Sequence, residues 1–238
     1  GKLLAWQVWG YPDYEISGRT WGRMKMPRER NGKRAERGKQ KKWVPELGYY
    51  YIVTDTEETE KNYLNGLRDS LPEKIRNRLV VKVASAKHTK DMISTCEKAD
   101  VDPQYRQSWI VFDRDQVQSF DEIILEAEKK GIRVGWSNPC IEIWFFAYFG
   151  KMPTMQGSVE CCRDFGELYK RKTGQKYAKS NPQIYKVLKE NGDEVKAIHR
   201  AQQQFIKCQN DGKLKPSEMC PGTTLHYLIE EIQGKAKK

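Results

Sequence analysis

Trp109-Ile110-Val111-Phe112-Asp113-Arg114-Asp115 is the stretch on which the fold turns. Four bulky apolar residues in unbroken succession read as a strand buried on both faces, as in a parallel sheet covered by helices. The run then stops at a carboxylate pair. Because the side chains of a strand alternate, Asp113 and Asp115 are expected on one side and Arg114 on the other, so two negative charges converge where the strand leaves the core. Such a pair is costly unless it is solvated or matched by a cation. In open parallel sheets, ligands bind beyond the carboxyl ends of the strands. The stretch therefore predicts a hard-cation site at a strand end, with Mg²⁺ the favoured ion and Mn²⁺ its substitute.

The flanking sequence repeats the pattern. Residues 49–54 are aromatic and β-branched and read as a first strand ending at Asp55. A helical pattern follows, with Glu57, Glu58 and Glu60 in its opening turns, where carboxylates complement the helix dipole. Tyr63, Leu64 and Leu67 form its apolar face, and Pro72 interrupts it. A second strand over 79–83 precedes a helix over 89–99. After the central strand at 108–113 come Phe120, Ile123, Ile124 and Ala127 at helical spacing, closed by Gly131. A fourth strand over 132–136 leads through Ser137-Asn138-Pro139 into a helix reaching residue 149. This order predicts an α/β fold with a mostly parallel four-stranded sheet flanked by helices. The rest reads as helices over 159–169, 182–189, 194–209 and 224–233. Ile198, Ala201, Phe205 and Cys208 form a core stripe on the third of them. The expected division is an arm over 1–44, an α/β domain over 45–150 and a helical part over 151–238 packed on it.

The chain has 238 residues, 32% of them charged, and a net charge of +11. Between Arg19 and Lys42 lie 11 basic and 2 acidic residues, so a net +9 sits in one segment. So basic and so poor in aliphatics, it is expected to stay flexible until it meets a polyanion. Arg28, Arg30, Lys33, Arg34, Arg37, Lys39, Lys41 and Lys42 are its candidate contacts to a nucleic-acid backbone. A solubilising tail without a partner is the plainer reading. The first two dozen residues precede Met24 and Met26 and are weighed as a fusion remnant or leader. None of the six cysteines forms a Cys-x-x-Cys pair and the three histidines complete no zinc pattern, so the thiols read as structural in a reducing, cytoplasmic setting. No apolar run approaches a membrane span.

Acids gather at three strand ends: Asp55 with Glu57 and Glu60, the Asp113/Asp115 pair, and Glu142 after the fourth strand. Asn138 is expected to cap the last helix with Pro139 in its first position. Glu142 is the sole charge between Pro139 and Phe149, in a helix that is apolar all round, and needs a partner: a cation shared with the aspartates, or Arg133 or Lys87. Mg²⁺ takes one or two protein carboxylates and completes its shell with water and phosphate. A basic arm delivering nucleic acid to such a site suits cleavage of a phosphodiester. An EF-hand from Asp113 fails, because Gln118 and Ile124 stand where Gly and Glu are needed. P-loop, Gly-x-Ser-x-Gly and His-Glu-x-x-His motifs are absent.

Residues 52–64, Ile-Val-Thr-Asp-Thr-Glu-Glu-Thr-Glu-Lys-Asn-Tyr-Leu, resemble the first motif of the RloB-like family, Toprim-related proteins found beside restriction and abortive-infection genes. Val111-Phe112-Asp113-Arg114-Asp115, Ser137-Asn138-Pro139-Cys140-Ile141-Glu142-Ile143-Trp144 and Thr223-Thr224-Leu225-His226-Tyr227-Leu228 resemble its further motifs, in order. The resemblance implies a Toprim-like fold over 45–150 with its first and third strands side by side. It also implies Mg²⁺ held by Asp55, Asp113 and Asp115, and a nuclease role in bacterial anti-phage defence on RNA, tRNA included, or DNA, alongside a separately encoded ATPase. Glu57, Glu60 and Glu142 would serve catalysis and Asn138 would support the site. Asp55 stands where the Toprim pattern has glutamate, and Thr56 where it has glycine. A shorter carboxylate and a lost glycine sustain an alternative: a catalytically degenerate nucleic-acid-binding or regulatory subunit.

Overall fold

A computed structural model describes residues 44–55, 58–115 and 117–237. Residues 44–238 form one compact unit. The arm residues Arg28 to Lys42, together with Thr56 and Glu57, lie outside the described residues.

The central stretch forms strand β3 (Gln107–Asp113), with Trp109, Ile110, Val111 and Phe112 all buried. Its neighbours are β1 (Gly48–Thr54) on one side and β4 (Arg133–Asn138) on the other, both parallel to it. Strand β2 (Leu79–Ser85) pairs parallel with β1. A fifth strand, β5 (Gly222–Thr223), pairs antiparallel with β4, so the sheet runs β2-β1-β3-β4-β5. The four-stranded expectation is corrected by this last strand. Two residues are too few for a periodic signal, and β5 exists because of side chains rather than pattern. Thr224 Oγ1 accepts from Trp136 N–H (3.0 Å) and donates to the Val134 carbonyl (3.0 Å), while Thr223 Oγ1 donates to the Trp136 carbonyl (2.9 Å).

Strand alternation divides the core between the two faces of the sheet. Tyr50, Ile52, Trp109 and Val111 join a large cluster containing Tyr63, Leu64 and Leu67 of α1 (Thr59–Ser70). That cluster also takes in α5 (Glu142–Phe149) and the helices that enclose it: α6 (Ser158–Thr173), α7 (Ile184–Asn191) and α8 (Glu194–Asn210). Ile110 and Phe112 face the other way. There α3 (Met92–Glu97) packs on β1 and β3, and α4 (Phe120–Lys129) packs on β4. Phe112, Phe120 and Trp136 meet edge to face at 5.2 and 6.1 Å. A four-residue helix, α2 (Glu73–Arg76), leads into β2.

The last helix, α9 (Leu225–Ala236), packs along β4. Glu231 on it accepts from the Tyr50 hydroxyl (2.6 Å) and pairs with Arg133, whose guanidinium lies 4.3 Å from the Trp109 ring centroid. Arg133 is thus taken up by α9 and is not the partner of Glu142. Among the described residues no helix is long and apolar enough to cross a membrane, and all six cysteines are unbridged.

Helices α1 and α7 approach closely at Gly66, where an added Cβ would lie 2.6 Å from Cβ of Tyr185. In an exposed helix, Gly→Ala stabilises by about 1 kcal/mol. Here the clash reverses the sign, and Gly66→Ala is expected to destabilise by about 1–3 kcal/mol. The denaturant midpoint checks this: a rise would show that the helices separate freely.

Candidate functional site

Parallel pairing decides where the acids lie. Thr54 on β1 is in register with Val111 on β3, and Asp113 with Ser137 on β4, so three strands end at one rim. Asp55 follows β1, Asp113 ends β3 and Glu142 opens α5 after β4. Glu60 sits in the first turn of α1 and is buried.

These carboxylates act on one another. Burial first, and the negative charge of Glu60 second, push the Asp55 carboxyl up to about 8, with Asp115 adding to the shift. Burial likewise pushes Asp113 far above the usual carboxylate range, reinforced by Glu60, Asp55 and Glu142. The Glu60 side chain faces both Asp55 and Asp113 closely enough for its charge to raise the proton affinity of each. Among the described residues, the buried oxygen Oδ1 of Asp55 has no hydrogen-bond partner.

The backbone helps to hold the negative charge. Asp113 Oδ2 accepts from Ile141 N–H at 3.0 Å, one residue before α5, where an anion is favoured. Asp115 behaves differently from the strand-based expectation. Strand β3 ends at Asp113, and Asp115 lies in a turn at φ +21°, its N–H donating to the Pro139 carbonyl. Alternation no longer applies there. The exposed Asp115 carboxylate accepts from the Ser158 hydroxyl at the start of α6 (2.6 Å). Arg114 turns from the rim, donating to the Val117 carbonyl (3.0 Å) beside the Phe120 ring.

Asn138 is not the cap of α5. It belongs to the end of β4, and its side-chain amide donates to the carbonyls of Pro216 and Ser217 at 3.1 Å each. The turn before the helix is closed by Ile143 N–H to the Cys140 carbonyl, with the chain entering at Ile141. Asn138 thereby anchors the segment leading to β5 beneath the rim.

Glu142 is 1% exposed, and its partners come from the segment between α6 and α7. The Tyr177 hydroxyl donates to Oε1 at 2.8 Å, and the Lys179 ammonium lies 3.9 Å from the same oxygen. The carbonyl of Lys179 accepts from Thr59 Oγ1 (3.2 Å), tying this segment to the turn beside Glu60. Oε2 of Glu142 has no hydrogen-bond partner among the described residues. Cys140 and Cys162 adjoin it: the two thiols and a Glu142 oxygen lie within 4.8 Å of one another. Among the described residues this is the group of three potential ligands that meets that spacing; the aspartates form no such trio. Sequence reasoning missed Tyr177, Lys179 and the thiol pair, because no local spacing relates residues 140, 162 and 179.

The carboxyl shifts give the rim a pH signature. A carboxyl whose pKa is higher folded than unfolded binds its proton more tightly in the native state, so stability falls as pH rises through that window. For Asp55 the window runs from about 4 to about 8, with a slope of at most about 1.4 kcal/mol per pH unit for each proton. Thermal melts in chelator are expected to decline between pH 5 and 8, and Asp55→Asn to melt higher at pH 8 with a flatter profile. Parallel profiles would show that Asp55 is not protonated in the native rim.

A family model for RloB-like proteins matches residues 50–232. Neither a search of curated proteins nor one of solved structures returned a match. The matched span runs from β1 into α9 and holds every described acid of the rim, and by that match the chain belongs to the RloB-like family.

Proposed function

We propose that the protein is a metal-dependent nuclease of Toprim type that cleaves RNA or DNA in anti-phage defence. The observation that carries this reading is the crowding of Asp55, Glu60, Asp113, Asp115 and Glu142 at one rim, which raises the proton affinities of Asp55 and Asp113. Carboxylates so placed repel one another unless protonated or neutralised by a cation. The donor set is all oxygen, and the buried Asp55 Oδ1 has no hydrogen-bond partner among the described residues, which fits Mg²⁺ or Mn²⁺.

Asp113 and Asp55, with Asp115 at the outer edge, would hold the ion. When bound, it would stabilise negative charge on a phosphodiester and its departing oxygen. Glu60, whose charge acts on both Asp55 and Asp113, is placed to exchange a proton with groups at the rim. Lys179, half exposed beside Glu142, offers a positive charge to a phosphate. The basic arm over 19–42 would deliver the nucleic acid, and a separately encoded ATPase would act with the protein in defence.

Purified protein incubated with tRNA, single-stranded RNA or duplex DNA is expected to cleave one of them with Mg²⁺ or Mn²⁺ and not with chelator. Asp113→Ala is expected to slow that cleavage by about 10²–10⁴-fold. Binding without cleavage, unaffected by metal and with the ATPase supplied, would identify a degenerate binding subunit instead. Deleting residues 19–42 is expected to flatten the salt dependence of duplex binding by several units of log slope, about 0.9 for each phosphate that the shortened chain no longer neutralises. An unchanged slope would exclude the arm as the element that meets the duplex.

A further inference from the structure

We propose that Cys140, Cys162 and Glu142 form a binding site for a thiophilic divalent ion, Zn²⁺ by its chemistry, at the Glu142 end of the carboxylate rim and separate from the ion that the aspartates would hold. Two thiol sulfurs and a carboxylate oxygen lie within 4.8 Å of one another, a spread compatible with common ligation at Zn–S about 2.3 Å and Zn–O about 2.0–2.2 Å. Three protein ligands leave a fourth, open position, the pattern of a zinc site accessible to a further ligand. Mg²⁺ does not suit this set, because thiolates are soft donors and Mg²⁺ selects oxygen.

The second observation is Glu142 itself. Its side chain is 1% exposed, and one of its oxygens has no hydrogen-bond partner among the described residues. The other is held by the Tyr177 hydroxyl at 2.8 Å, the kind of support that orients a ligating carboxylate. The thiols are held as well. Cys140 sits in the turn before α5, its sulfur 4.0 Å from the Ser158 carbonyl, and Cys162 lies one turn into α6. The two elements that supply the rim's Ile141 and Ser158 contacts to the aspartates therefore also supply the sulfurs.

Lys179 stands against the ion. Its ammonium lies 3.9 Å from Glu142 Oε1 and beside Cys162, where it partly neutralises the carboxylate. Its side chain is 55% exposed, so a long, flexible stem can carry the charge outward when Zn²⁺ enters. On binding, each thiol gives its proton to solvent and the sulfur's electron pair to the metal.

The test uses full-length protein, stripped with chelator under a thiol-free reductant and titrated with Co²⁺ as the spectroscopic stand-in for Zn²⁺. A thiolate-to-cobalt charge-transfer band saturating at one equivalent is expected, and Zn²⁺ should abolish it. Cys162→Ser and Cys140→Ser should each lose the one-equivalent band, while circular dichroism reports whether each still folds; Cys162, half-buried, is the safer site. Lys179→Gln should bind about tenfold tighter, since a unit charge near 4 Å is removed. Asp113→Asn should keep the thiolate band while losing Mn²⁺ measured by electron paramagnetic resonance, which separates this site from the hydrolytic reading. A missing band, one that persists in the Cys140→Ser/Cys162→Ser double variant, or no tightening in Lys179→Gln would overturn the assignment.

Discussion

Trp109 and Ile110 point in opposite directions, and neither is exposed. That double burial of one strand is the constraint the structure depends on. A strand with helices on both faces has solvent only at its ends, so polar residues must leave at the termini or carry partners in the core. Asp113 leaves at the carboxyl end, and parallel pairing brings the ends of β1 and β4 to the same rim. Three chain segments therefore deliver carboxylates to one place without any of them being adjacent in sequence.

The rim is balanced by neighbours of several kinds. Asp113 takes a backbone N–H, Asp115 takes a serine hydroxyl, and Glu142 takes a tyrosine and a lysine. Asp55 keeps an oxygen without such a partner among the described residues. Burial first, and the Glu60 charge second, raise its proton affinity. A site with high proton affinity and oxygen donors is one a divalent cation competes for, since metal and proton seek the same charge.

The segments after residue 150 do more than cover the sheet. β5 and α9 close its edge through Thr223 and Thr224, and Glu231 of α9 occupies Arg133. Tyr177 and Lys179 reach Glu142 from the segment between α6 and α7. The α/β portion and the helical portion thus share one core and supply parts of one rim.

Local pattern was enough for the four parallel strands, for the helices of the α/β portion and for the acids at the strand ends. Burial on two faces leaves an unbroken apolar run, and a strand's end is marked by the first charge. It also exposed the oddity of Glu142 as a lone charge in an apolar helix. Pattern misled where strand alternation was carried past the end of the strand, as at Asp115, and where a capping residue was recruited by a distant backbone, as at Asn138. It was silent about β5, Tyr177, Lys179 and the Cys140–Cys162 pair, because contacts between residues tens of positions apart leave no period in a single sequence. Their proximity is decided only when α5, α6 and the strand ends pack around the same carboxylates.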